Sequence, residues 1–180
     1  MRIRSSDRIV SVPAMINHDT YHPTRRGFLG AAGLTAAGLL AWGWPDSSEA
    51  ARFAVTRSPA DWRKRLGPQR YHILREGGTE RAFTSPLNKE HRRGSFVCAG
   101  CARPLFASAT KFDSGTGWPS FYRALKGGVV TKSDRTLGMV RIEVLCARCG
   151  GHLGHVFDDG PRPTGLRYCM NGLALNFRLA

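Results

Sequence analysis

Two Cys-x-x-Cys pairs constrain this chain more than any other feature of its sequence. The first pair is Cys98 and Cys101, the second is Cys146 and Cys149, and each follows a β-rich segment and leads into turn-like sequence. Two such turns brought face to face present four sulfurs to one tetrahedral centre, the geometry of structural zinc. The alternatives are two disulfides or two redox-active pairs. A disulfide within either pair would close a very small, strained loop, so we favour one Zn²⁺ held by the four cysteines.

Helix signals are confined to the beginning of the region that carries these pairs. Ser58 is an N-cap, Pro59 suits the first helical position, and an acidic residue stands at the capping-box position. A Gly-Pro step at residues 67–68 closes this short helix, and the proline can open a second one that stops at Gly77. The sequence therefore predicts two short helices at the N-terminal end of the domain.

The segments that follow are rich in β-forming residues and separated by Gly/Pro turns. Strands are predicted in segments 95–97, 129–131, 137–145 and 166–169, and an alternating pattern continues to residue 177. In the third segment, Val140, Ile142 and Val144 alternate with charged residues, which is typical of a half-buried strand. Strands joined by short loops predict a mainly β, mostly antiparallel domain.

The first 50 residues have the layout of an export signal. Arg25 and Arg26 precede Phe-Leu and an uncharged Gly/Ala-rich run, which is shorter than the ~20 strongly apolar residues of a bilayer span. Small residues at positions 48 and 50 form a cleavage site after Ala50. The paired arginines resemble a twin-arginine signal; an uncleaved anchor or a chance arginine pair is the alternative. We predict a signal peptide over residues 1–50, a linker over 51–57 and one domain over 58–180.

This leader makes the twin-arginine export machinery an expected partner and predicts an exported protein, periplasmic or otherwise extracytoplasmic. No stable membrane span is expected after cleavage. The pathway is known for moving folded proteins, so a metal could be acquired before export.

The chain is strongly basic, with a formal net charge of +14. Together with a four-cysteine zinc site, this charge raises the possibility of a zinc-ribbon protein that binds nucleic acid. The basic residues are spread along the chain, however, and no segment interleaves them with stacking aromatic residues. We therefore expect no nucleic-acid partner.

The fifth cysteine, Cys169, is left over once four sulfurs bind zinc. In an extended segment, Arg167 and Asn171 face the same side as Cys169, and a nearby guanidinium favours the nucleophilic thiolate. His152 and His155 lie upstream in the sequence. Nucleophilic cysteine chemistry assisted by histidine is one interpretation; a buried inert thiol and structural histidines are the other.

Four segments resemble the methionine-R-sulfoxide reductase B family. They are residues 78–80, 111–121, 152–161 and 167–171, and the two Cys-x-x-Cys pairs fall where zinc-binding members of that family carry theirs. The resemblance covers about residues 58–180. It implies two antiparallel sheets with a zinc site opposite the active site, and it implies reduction of protein-bound methionine-R-sulfoxide.

The resemblance also implies roles for single residues. The Cys169 thiolate would attack the sulfoxide sulfur while His155 protonates the oxygen, which yields methionine and a cysteine sulfenic acid. His152, Arg167 and Asn171 would position the polar S–O group. The carboxylate of Asp159 would orient an imidazole, with Asp158 as a second candidate. The ring of Trp118 would form a flat wall for the methyl group of the substrate.

The sequence departs from the family pattern at two positions. Many members carry a resolving cysteine where this chain has Thr116, and Gly172 replaces the usual serine after Asn171. With four cysteines on zinc, no free thiol remains to form an intramolecular disulfide with Cys169. We therefore expect an external reductant, either a thioredoxin-like protein or a small thiol.

Overall fold

The computed structural model describes residues 53–135 and 138–180. The predicted signal peptide, its cleavage site and the first two residues of the predicted linker lie outside the described residues. Within the described residues, the helices are too short or too polar to cross a bilayer.

Helix α1 spans Pro59–Glu76 and begins as the sequence predicts. The side chain of Ser58 accepts a hydrogen bond from the backbone N–H of Asp61, which satisfies one of the free donors at the helix start. At Gly67 the backbone is non-helical, with φ 69° and ψ 171°, so the element consists of two helical segments. Gly77 ends the helix in the left-handed conformation that glycine adopts without strain.

The rest of the described chain forms two antiparallel sheets, as expected. The strands are β1 (Gly94–Cys98), β2 (Pro104–Ala107), β3 (Lys111–Phe112), β4 (Ser120–Phe121), β5 (Val129–Asp134), β6 (Arg141–Cys146), β7 (His152–Phe157), β8 (Arg167–Met170) and β9 (Leu175–Leu179). A three-stranded sheet has the order β2-β1-β9, and a six-stranded sheet has the order β3-β4-β8-β7-β6-β5. Short 3-10 helices lie at Pro86–Lys89, Ser108–Thr110 and Gly172–Ala174.

The core is aromatic and lies between the sheets and α1. The ring of Phe121 stacks on Phe106 with centroids 4.4 Å apart and meets Phe96 edge-on at 4.9 Å. All three side chains are fully buried. Aromatic contacts of this kind contribute beyond the area they bury, and they join the three-stranded sheet to the six-stranded one.

One burial prediction is wrong. The alternation of Val140, Ile142 and Val144 predicts one buried face, yet Val140 is 74% exposed, Ile142 is 40% exposed and only Val144 is fully buried. Strand β6 begins at Arg141, so Val140 precedes the paired part of the sheet. Only the second half of this strand is covered by the core.

Candidate active site

One row of side chains crosses the whole six-stranded sheet. Residues directly opposite each other in antiparallel strands project from the same face. From β3 to β5 the row contains Phe112, Ser120, Cys169, His155, Glu143 and Lys132. The register therefore places the thiol of Cys169 directly beside the imidazole of His155.

A β-bulge brings the second histidine to the same face. His152 and His155 are three residues apart, so a regular strand would point them to opposite faces. In β7 the pairing shifts, and Leu153 is an extra residue between the two paired positions. The two imidazole rings consequently lie 5.5 Å apart, centroid to centroid.

Strand β7 approaches β8 so closely that residue 154 must lack a side chain. A Cβ atom at Gly154 would lie 2.1 Å from the carbonyl oxygen of Cys169, and the φ angle of Gly154 is 153°. A larger residue would push β7 and β8 apart at the point where His155 faces Cys169.

The carboxylates that orient the imidazoles come from neighbouring strands. Glu143 Oε1 lies 2.6 Å from Nδ1 of His152, and Asp134 Oδ2 lies 2.8 Å from Nε2 of His155. Arg141 donates a hydrogen bond to the same Asp134 oxygen at 2.7 Å. The expectation that Asp159 would orient an imidazole is corrected, because its carboxylate binds an arginine instead.

That arginine is Arg167, which is held from two sides. Its Nε and Nη2 donate to the two oxygens of Asp159, both at 2.8 Å, and its guanidinium lies 4.3 Å from the ring centroid of Phe157. Asp159 raises the pKa of Arg167 further above its ordinary value. The bidentate pair fixes a cation two residues from Cys169 on the same strand.

His152 is almost fully buried, and its Nε2 has no hydrogen-bond partner within the described part of the chain. Burial lowers the pKa of His152, although the adjacent Glu143 acts in the opposite direction. Desolvation disfavours the charged imidazolium, so this ring is neutral near pH 7 and has an unused nitrogen.

Glu80 connects two of the predicted site residues, Asn171 and Trp118, and the sequence does not predict this role. Its backbone N–H donates to Oδ1 of Asn171 at 2.9 Å, and its carbonyl accepts from Nε1 of Trp118 at 3.1 Å. Its carboxylate accepts hydrogen bonds from the backbone N–H groups of Gly172 and Leu173. The one sequence feature that could have indicated this role is the position of Glu80 within residues 78–80, the segment that resembles a family signature.

The loop between β3 and β4 also reaches Cys169. The hydroxyl of Thr116 lies 3.7 Å from its sulfur. Ser114 contacts Thr116 at 2.8 Å and the buried Ser120 at 2.7 Å, hydroxyl to hydroxyl. Thr116, in the position expected for a resolving cysteine, thus lies against the candidate nucleophile.

The four remaining cysteines form one cluster. Their sulfurs all lie within 4.8 Å of one another, with Cys98 and Cys149 at 3.7 Å and Cys101 and Cys146 at 3.5 Å. All five cysteines of the chain are free thiols rather than disulfides. The alternative of two disulfides is therefore not the arrangement observed, and the four cysteines can hold a metal ion.

The two halves of the cluster have the same backbone geometry. In each half, the N–H of the residue after the second cysteine donates to the carbonyl of the first, through Ala102 and Gly150, both at positive φ. Arg65 and Arg75 of α1 donate to the backbone carbonyls of Gly100 and Cys149. The helix therefore braces both turns.

Comparison with known proteins assigns the family. The model of the SelR domain family matches residues 66–179, which include every site residue described above. The chain belongs to the SelR domain family.

Several curated relatives of this SelR domain are named peptide methionine sulfoxide reductase MsrB. The protein of Leptospira interrogans is 57% identical over 127 residues, which is 70% of this chain and 97% of the relative. The protein of Agrobacterium fabrum is 59% identical over 124 residues, covering 68% and 92%. That of Methanosarcina barkeri is 53% identical over 129 residues, covering 71% and 91%.

The buried His152 predicts a specific pH dependence of stability. Because its pKa in the folded SelR domain lies below the ordinary value of 6.5, its contribution is fully present above that pH and is lost as the pH falls through the folded pKa. His152→Gln should therefore reduce the loss of unfolding free energy between about pH 8 and about pH 5.5, measured by urea denaturation. The control Gln69→Ala, which removes an exposed side chain that does not titrate, should keep the original slope. An unchanged slope in His152→Gln would contradict the burial argument.

Proposed function

We propose that this protein reduces methionine-R-sulfoxide in polypeptides to methionine, with Cys169 as the nucleophile. The observation that carries the proposal is the sheet register, which sets the free thiol of Cys169 beside His155 on an accessible face. Membership of the SelR domain family and the names of the curated relatives support the same reaction.

The first step transfers the sulfoxide oxygen to the enzyme. The Cys169 thiolate attacks the electrophilic sulfoxide sulfur, and His155 supplies a proton to the oxygen, which is a poor leaving group until protonated. Because Asp134 holds Nε2 of His155, Nδ1 is the nitrogen that delivers the proton. The attack forms an S–S bond, and the S–O bond breaks as the protonated oxygen moves to the Cys169 sulfur. The S–S bond then breaks with its electron pair on the methionine sulfur, so methionine gains two electrons and Cys169 loses two to become a sulfenic acid.

The surrounding residues position the substrate. Trp118 provides an apolar wall for the methyl group on sulfur, and His152, whose Nε2 has no hydrogen-bond partner within the described residues, would contact the polar S–O group. The side-chain amide of Asn171 is bonded to the backbone of Glu80 and Leu153, so Asn171 holds these segments in place. Glu80 holds both Trp118 and Asn171 through its backbone, so the apolar and the polar side of the pocket keep a fixed separation. Arg167, anchored by Asp159, places a fixed positive charge two residues from the nucleophile on β8.

Recycling of the sulfenic acid requires a thiol from outside the chain. The other four cysteines belong to the metal-binding cluster, and a hydroxyl at Thr116 stands beside Cys169 where a second thiol would be needed. A thioredoxin-like protein or a small thiol can attack the sulfenic acid, release water and regenerate Cys169 with a second thiol equivalent.

Replacing the nucleophile tests the reaction. Cys169→Ser should lower turnover of methionine-R-sulfoxide with dithiothreitol by at least about a thousandfold, because an alcohol cannot accept the oxygen as a thiolate does. Turnover is measured as methionine released. Activity of Cys169→Ser close to that of the unsubstituted protein would contradict the proposal.

A companion variant tests the recycling scheme. In Thr116→Cys, the new thiol stands close to Cys169 and should form an intramolecular disulfide after one turnover, detected as a loss of about two hydrogens by mass spectrometry. The unsubstituted protein should form none under the same conditions. A disulfide involving Cys169 in the unsubstituted protein would refute recycling by an external thiol.

The cysteine cluster would hold a structural zinc ion. Four sulfurs within 4.8 Å of one another fit a tetrahedral four-thiolate site, which leaves no position open for substrate. Bound zinc would tie the end of β1 to the end of β6. Along β6, Cys146 lies three residues from Glu143 and so faces the opposite side from the active-site row.

Metal content and stability test this assignment. The purified protein should contain about one zinc per chain. Cys146→Ser should lose the metal and unfold at lower urea concentration, since metal binding contributes to folding free energy. Cys169→Ser is the matched control and should keep its zinc. A metal-free protein of undiminished stability would overturn the assignment.

We further infer that residues 1–50 direct export through the twin-arginine machinery and are removed after Ala50, which gives an extracytoplasmic enzyme. The support is the sequence pattern around Arg25 and Arg26. Mass spectrometry of the protein from the exported fraction should show a chain that begins at Ala51. Arg25→Lys with Arg26→Lys should leave the full-length chain inside the cell, and processing that persists in this variant would contradict the twin-arginine route.

A further inference from the structure

Phe83 is an aromatic residue in an unfavourable backbone conformation that burial does not explain. Its side chain is 74% exposed, and its φ angle is 66°. A bulky non-glycine residue at positive φ is strained, and such strain persists only where neighbouring structure imposes it, commonly at binding sites. Neither the core nor the proposed reaction uses this ring.

The loop that carries Trp118 holds Phe83 in place. The backbone N–H of Phe83 donates to the carbonyl of Gly117 at 2.8 Å. The Phe83 ring lies against Gly117 so closely that an added Cβ there would come 2.8 Å from its Cδ2 atom. The ring is therefore fixed next to the proposed wall for the substrate methyl group.

A cavity of about 440 Å³ opens between these segments. Phe83, Phe112 and Trp118 line this cavity, which we term the aromatic groove, and its titratable lining residues are Lys89, His91, Lys111 and Asp113. This volume is within the range of binding pockets, about 300–1,000 Å³. The aromatic rings suit an apolar side chain, and two lysines against one aspartate disfavour a cationic one.

The sheet register sets the distance from the groove to the reacting sulfur. Phe112, Ser120 and Cys169 are consecutive members of the row that crosses the sheet. Two strand spacings amount to about 10 Å, and an extended peptide covers that length in about three residues. In an extended peptide, side chains an even number of positions from the methionine project to the same side as it does, so a polypeptide with its oxidised methionine at Cys169 reaches the groove with a side chain about two or four positions away.

We propose that the aromatic groove binds an apolar side chain of the polypeptide substrate, about two or four residues from the methionine sulfoxide. This inference rests on the proposed function and narrows its substrate class to oxidised methionines flanked by accessible apolar residues. The groove adds binding energy for polypeptides that a single oxidised amino acid cannot use.

The groove is tested by comparing two substrates. For Phe83→Ala, the ratio of kcat/KM for a Leu-containing methionine-R-sulfoxide peptide to kcat/KM for N-acetyl-methionine-R-sulfoxide should fall about tenfold. The control Leu179→Ala, which removes an apolar side chain 63% exposed on β9, should keep the original ratio. An unchanged ratio in Phe83→Ala would overturn the groove.

A second measurement needs no substitution in the protein. In substrate peptides, Leu, Gly or Lys is placed at the second or the fourth position on either side of the methionine sulfoxide. At one of these positions kcat/KM should fall in the order Leu, Gly, Lys. Equal values at all tested positions would overturn the proposal. If the unsubstituted protein reduces N-acetyl-methionine-R-sulfoxide but fails this test, only the groove is wrong. Failure to reduce either substrate would contradict the proposed function itself.

Discussion

The pairing of β7 with β8 is the constraint on which the candidate site depends. It sets His155 opposite Cys169, and the bulge at Leu153 turns His152 to the same face. The pairing is possible only because Gly154 leaves room for the Cys169 carbonyl. One backbone arrangement thus brings together the proposed nucleophile, the proposed proton donor and the neutral second imidazole.

The five cysteines divide between two separate tasks. Four lie in matching turns at the ends of β1 and β6, and arginines of α1 bind the backbone of both turns. Cys169 lies on β8 beside His155 and Thr116. Glu80 connects the loop that carries Trp118 to Asn171. The site is therefore supported by contacts that are distant in sequence.

The sequence predicted what local patterns encode. The cap at Ser58, the break at Gly67 and the paired cysteine turns each depend on a few adjacent residues, and the structure contains them. The sequence does not predict the carboxylates that contact the histidines. Glu143 reaches His152, and Asp134 reaches His155, only when β5, β6 and β7 pair in the sheet. Asp159 follows the two histidines closely in sequence, but the chain returns at β8, where Arg167 binds its carboxylate. No local pattern reports such contacts.

The central claim is that one cysteine reacts while four are reserved for the metal. Counting thiols during a single turnover tests it most directly. The zinc-loaded protein should lose one titratable thiol for each methionine formed, with the loss located at Cys169 and the other four cysteines recovered as thiols after denaturation with a chelator. Loss of two thiols for each methionine, or oxidation of any of the four clustered cysteines, would contradict the account.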